Sequence, residues 1–278
     1  MNTKKLHRPI YGDFIQDVRK GYLLLEENSR EEVKIFIKSQ QHTSGAFVNR
    51  GGNPDLYYSL FGAWLSRALN MEHLQNNLRE YTGELYVANN QVIDKHALLL
   101  IRLALNENNF RKPTAFSFLK TFIYSGWKMN LAYRAFLFLL SFDAVYKKQK
   151  FIYYILKIVL RRHRISEDVP CSFRAAWLLA RHIVGADVEE DVQQLFKYYE
   201  EGMGFKAFKD AESADLLSTA VALFVLKKAG TELRVVAPDA LELVQQNYDS
   251  GAFLAGNGDE VKDLEYTFYG LLILGTLS

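Results

Sequence analysis

The stretch SQQHTSGAFVNRGGNPDLYYSLFGAWL, Ser39 to Leu65, is echoed near the other end of the chain by VQQNYDSGAFLAGNGDEVKDLEYTFYGLLIL, Val244 to Leu274. Each carries Gln-Gln, Ser-Gly-Ala-Phe, a glycine-bearing loop and then Asp-Leu-x-Tyr followed by Ser or Thr. A phrase written twice in one chain points to a supersecondary unit used more than once, each copy burying the face its neighbour leaves open.

With Asp55 as an anchor, similar starts recur at Asp94, Asn130, Asp168, Asp215 and Asp263, a spacing of roughly 40 residues. Four positions past the anchor stand Ser59, Ser172, Thr219 and Thr267; the Asp94 and Asn130 units have Leu98 and Arg134 instead. An Asp or Asn side chain accepts from the free N–H groups of a first helical turn, so each anchor is expected to cap a helix. The helices that follow are apolar on nearly every side, as in LLSTAVALFVL after Asp215, and must be covered all round by protein. The segments before the anchors carry one apolar stripe: Val188, Val192, Leu195 and Tyr199 recur at helical spacing among Glu189, Glu190 and Asp191.

Outer helices are thus expected near 30–41, 72–81, 112–124, 148–162, 188–200 and 239–247, alternating with six buried inner ones. The arrangement that buries both kinds of face is all-α, an (α/α)6 barrel or toroid of six helical hairpins with inner and outer rings. It would form one domain over 1–278, with 1–29 as a lead-in segment whose FIQDVRKGYLLLEE packs part of a helix against it. An open solenoid would leave one side of the inner layer exposed. Gly45 and Gly251 fall where the chain reverses after an outer helix and positive φ is favoured. Gln40-Gln41 and Gln245-Gln246 are expected to close that helix.

A chain that is 49% hydrophobic and 14% aromatic has ample material for such a core. Its 34 Lys and Arg against 32 Asp and Glu leave +2, with no basic block that would serve as a nucleic-acid surface. The densest cationic cluster is Arg161-Arg162-His163-Arg164. One cysteine, Cys171, rules out an intramolecular disulfide and any zinc site that needs several thiolates. No run approaches 18 uninterrupted apolar residues, so no integral membrane segment is expected. A soluble cytoplasmic protein is the default.

The phrase from Ser39 to Leu65 resembles the prenyltransferase and squalene-oxidase repeat of protein prenyltransferase β subunits and terpenoid cyclases. The likeness is good again over Gly204–Leu226 and Gln245–Leu274 and faint between. The resemblance implies an α/α toroid whose hydrophobic central cavity, lined by inner-helix aromatics, holds an isoprenoid. Tyr58, Trp64, Trp177, Tyr266 and Tyr269 are the ligand-binding residues expected on that basis. It also implies a diphosphate site at Arg162 and Arg164, since guanidinium groups donate paired hydrogen bonds to such oxygens. The family's zinc ligands carry over poorly. Asp168 matches the Asp, but Pro170 stands at the Cys position, and Tyr266 replaces the His in Glu265-Tyr266-Thr267. The acidic motif of the cyclases is missing, with KDAESAD, Lys209 to Asp215, its nearest string, and so is the magnesium-binding Asp-Asp-x-x-Asp of ionisation-type enzymes. No zinc cofactor is expected, and magnesium is left open.

Two candidates for catalysis remain, Asp168 and Glu265. Glu265 breaks an otherwise apolar helix start, and burial there would raise its pKa. Cys171 with His163 or His182 is a weaker pairing, because a lone cysteine is usually packing. The readings that survive are an isoprenoid- or lipid-handling enzyme working without zinc, a non-catalytic toroid binding a hydrophobic ligand or a partner protein, and a carbohydrate-active (α/α)6 enzyme using rim carboxylates.

Overall fold

A computed structural model of the chain describes residues 9–87, 95–106, 131–146, 150–163 and 165–278. The expected anchors Asp94 and Asn130, the outer segment 112–124 and Arg164 lie outside the described residues. The protein is all-α. Twelve helices occur among the described residues: α1 (Ile10–Leu24), α2 (Glu27–Ser39), α3 (Leu56–Ala68), α4 (Glu72–Val87), α5 (Lys95–Ala104), α6 (Leu131–Tyr146), α7 (Lys150–Arg162), α8 (Cys171–Ile183), α9 (Glu189–Phe196), α10 (Leu216–Ala229), α11 (Ala237–Gln246) and α12 (Leu264–Leu277). Two two-residue hairpins, β1 (Tyr199–Glu200) with β2 (Gly204–Phe205) and β3 (Tyr248–Asp249) with β4 (Ala252–Phe253), follow α9 and α11.

Six helices pack in sequence, α3 on α5, then α6, α8, α10 and α12, and α12 returns to α3. Their contacts close a ring. These are the apolar segments: α10 is buried at every residue from Ser218 to Leu226, and α12 from Thr267 to Ile273. The intervening helices bury one stripe each, Val33 and Ile37 in α2, and Ala240, Leu243 and Val244 in α11.

Each copy of the repeated phrase does the same mechanical work. Asp55, Asp215 and Asp263 cap α3, α10 and α12, accepting from the backbone N–H of Tyr58 (3.1 Å), Ser218 (2.7 Å) and Tyr266 (2.9 Å). The hydroxyl four residues on accepts from the hairpin's buried Phe amide: Ser59 Oγ from Phe47 N (2.9 Å), Thr219 Oγ1 from Phe205 N (3.1 Å) and Thr267 Oγ1 from Phe253 N (3.4 Å). Gly62 and Gly270 leave room for the Phe47 and Phe253 rings, which a Cβ would meet at 2.2 and 2.4 Å. The Asp, the hydroxyl and the Phe therefore fasten one hairpin to its inner helix.

One expectation fails in detail. Asp168 does not cap α8, which begins at Cys171 after Pro170 with no side-chain cap. Proline disfavours helical φ/ψ in the residue before it, here Val169, so a helix cannot start from Asp168. The Gln-Gln pairs both close their outer helices, as expected, but out of register with each other. Val48 N donates to Gln40 O and Leu254 N to Asn247 O, so the C-cap residues Gln40 and Asn247 correspond, and Gln245-Gln246 still belong to α11.

The lead-in has a larger part than a surface packing helix. Phe14 of α1 is buried among the rings of Trp64, Phe136, Phe224 and Phe268, at centroid distances of 5.8, 5.8, 4.3 and 5.9 Å, and so touches α3, α6, α10 and α12 at once. The α1 backbone crosses α12 closely: a Cβ on Gly21 would lie 1.9 Å from Leu271 O, and one on Gly275 1.6 Å from Asp17 O. At its start, Ile10 N donates to the buried Asp143 carboxylate of α6 (2.8 Å), which serves where Pro9 offers no capping side chain. Lys228 of α10 pairs with Asp13 at 2.7 Å. Most of these partners lie in the later turns of the ring helices, so α1 closes that end and Phe14 fills the middle.

Candidate functional site at the N-terminal rim

The opposite end, where α3, α10 and α12 begin, carries a polar and aromatic cluster. The caps at Asp55 and Asp263 fix the first turns of α3 and α12, which present Tyr57 and Tyr58 on one side and Glu265 and Tyr266 on the other. The Tyr57 hydroxyl donates to Glu265 Oε1. Arg50, on the loop after the Gln41–Phe47 bridge, donates through Nε to Asp263 Oδ2 (2.7 Å) and through a terminal nitrogen to Asp259. Its guanidinium carbon sits 5.6 Å from the Tyr266 ring centroid, in cation–π range. All of these contacts join the first repeat to the last.

Glu265 is only 8% exposed. Burial pushes its carboxyl up to about 7; Asp263 and Asp215 add to the rise, while the Tyr57 hydroxyl and Arg50 oppose it. Tyr58 is pushed up to about 12, first by burial and then by Asp263 and Glu265, and Tyr266 is raised for similar reasons. Burial also raises Asp263 and Asp215 against the hydrogen bonds that hold them as caps. Asp259, half-buried, is lowered by the Val261 amide and by Arg50. Near neutral pH, Glu265 is the carboxyl poised between its two protonation states, and half-buried tyrosines surround it.

Below the rim an aromatic column runs inward. Tyr57 meets Phe61 at 5.1 Å, Phe61 meets Trp64 at 5.7 Å and Tyr269 at 5.7 Å, and Trp64 meets Phe14. The Trp64 Nε1 is buried with no hydrogen-bond partner among the described residues.

The structure thus gathers Glu265, Tyr58, Tyr266, Tyr269 and, one layer deeper, Trp64. It does not bring the other expected residues to them. Asp168 is exposed on the loop before α8, its amide donating to Ser166 Oγ. Trp177 is half-buried on α8. Arg162 is exposed in the last turn of α7; Leu160 O, two residues earlier, accepts from Arg181 in the last turn of α8, so Arg162 lies toward the far end of that helix from Asp168. There the Arg161-Arg162 pair offsets the helix dipole. Cys171 is fully buried, its thiol raised well above the ordinary range by burial and by Asp215, so it is a poor nucleophile.

Sequence reasoning missed Arg50 and Asp259. The signal was thin: an Arg inside the glycine-rich turn NRGGN and an Asp in the matching turn of the last repeat.

Among the described residues no three His, Cys, Asp or Glu side chains gather as a metal site, and no helix is long and apolar enough to cross a membrane. No protein-family model matches the chain, and no curated protein or solved structure is similar enough to count as a match.

Proposed function

We propose that the chain is a cytoplasmic, prenyltransferase-repeat-like helical toroid whose working surface is its N-terminal rim, where a small hydrophobic ligand, an isoprenoid or another lipid, exchanges a proton with Glu265. The observation that carries this reading is a buried carboxyl with a pKa near 7 set among half-buried tyrosines. Such a group is an acid and a base in comparable amounts at neutral pH, which suits proton transfer. The tyrosine faces would stabilise positive charge developing on the ligand. Because Phe14 and Trp64 fill the middle of the ring, the ligand would enter only as far as Phe61 and Tyr269. A short prenyl group fits that depth better than a long one. The reading uses no zinc, since Pro170 and Tyr266 stand where the resembled family has thiolate and imidazole.

The test is titration calorimetry with a short prenyl alcohol and its diphosphate, in buffers of different ionisation enthalpy. Binding coupled to fractional proton transfer at pH 7, abolished in Glu265→Gln, is the expected result. Binding of neither ligand would remove the reading.

A second reading, a non-catalytic toroid that binds a partner protein, is favoured by one observation: Arg50–Asp263 and Tyr57–Glu265 satisfy one another across the junction of first and last repeats. On that reading the cluster is a clasp, and Glu265→Gln would change stability alone.

A further inference from the structure

A groove of about 650 Å3 lies at the other end of the ring, between α1 and the ends of α3 and α5. This size is in the range of small-molecule sites. Its apolar lining is Ile15, Leu23, Ala68, Leu103 and Ala104, with Ile15 and Leu23 one turn to either side of Arg19 on α1. Leu23 is 56% exposed there, and an apolar side chain left in water beside other apolar surface gains from being covered.

The charged lining is cationic. Arg19, Lys20 and Arg67 form it, and no acidic residue is among the lining residues. Lys20 is paired with Asp17 at 3.1 Å, but among the described residues Arg19 and Arg67 have no ion-pair partner. The C-terminal ends of α3 and α5 bring a negative partial charge of roughly half a unit each. Arg67 is half-buried beside Tyr11, whose hydroxyl is pushed up by burial first, drawn down by Arg67 and raised again by the buried Asp143 of α6. Asn70 and Asn106 add to the polar lining.

We propose that this groove binds an anionic amphiphile, a phosphate or carboxylate head held by Arg67 and Arg19 with a short apolar tail laid along Leu23, Ile15 and Leu103. The site is separate from the rim and does not depend on the function proposed for it. Titration with dodecyl phosphate below its micelle concentration is expected to give saturable binding that weakens tenfold or more in Arg67→Gln and in the exposed-site variant Leu23→Glu, while Glu265→Gln leaves it unchanged. Loss of binding to phosphatidylglycerol vesicles in the same two variants would place the amphiphile in a bilayer; monomer binding without vesicle binding would make it a free ligand. Either outcome supports the groove. Dodecanol binding as tightly as dodecyl phosphate would overturn the role of charge, and inorganic phosphate doing so would overturn the role of the tail. Equal binding by both variants, with native circular dichroism, would overturn the site.

Discussion

Gly251 lies against the carbonyl of Glu32, so that the last hairpin of the chain is seated on its first outer helix. A Cβ on Gly251 would come within 2.3 Å of that oxygen, as a Cβ on Gly45 would come within 2.2 Å of Asn77 O on α4. The two glycines share φ of +89°. Each hairpin thus abuts an outer helix of another repeat, and for the last hairpin that helix is α2.

Gly45→Val and Gly251→Val are expected to destabilise the protein, because a β-branched residue resists positive φ and the added carbons meet backbone. The conformational part alone is on the order of 1–3 kcal/mol. Urea unfolding measures it. Gly52, also at positive φ but with nothing within 4 Å of an added Cβ, is the control that should lose less.

Thr219→Val is the cleanest test of the hydroxyl in the repeated phrase. It conserves shape but leaves the buried Phe205 N–H without its acceptor, a loss of about 1–3 kcal/mol. An effect below about 0.5 kcal/mol would mean that the amide finds another partner.

The fold was legible because its pattern is local. An Asp cap, a hydroxyl one turn later and a wholly apolar helix sit within a dozen residues, and most inner helices begin within a residue of the expected anchor. Asp168 misled because a capping residue was read without weighing the proline two positions on. The place of α1 was illegible for a different reason: Phe14 and Val18 announce a buried stripe, but periodicity tells that a face is covered, not by what. Glu265 could be singled out, since a carboxylate in an apolar helix start is a local anomaly. Arg50 could not, because Asp263 becomes its partner only when the ring closes.

Phe14→Ala should be among the most damaging single changes, since it empties the point where α1 meets four ring helices. Truncating a buried phenylalanine costs about 3–5 kcal/mol. The measurement is the unfolding free energy together with benzene or xenon uptake, as an apolar void lined by aromatics stays dry and accepts such probes. Phe14→Leu should retain most of the stability. Equal losses in both variants would show that ring stacking, not filled volume, is what Phe14 supplies.

Glu265 sets the last expectation, a dependence of stability on pH whose sign follows from burial. Its carboxyl moves from an ordinary 4.5 to about 7 in the folded protein. The folded state therefore holds the proton more tightly than the unfolded state does. The stability linked to that proton is present in full below about pH 4.5 and is lost as pH rises through 7. The shift corresponds to at most about 3 kcal/mol. Glu265→Gln removes the titration while keeping an oxygen for the Tyr57 hydroxyl to donate to. Asp263 and Asp215 are also raised, so the raw profile of either protein mixes several groups, and the difference between the two isolates Glu265. That difference, variant minus wild type, should grow in favour of the variant between pH 5 and pH 8. If it falls instead, the folded rim prefers the anion. Arg50 and the tyrosine hydroxyl then outweigh burial, and Glu265 belongs to a permanent ion cluster that cannot hold a proton for transfer.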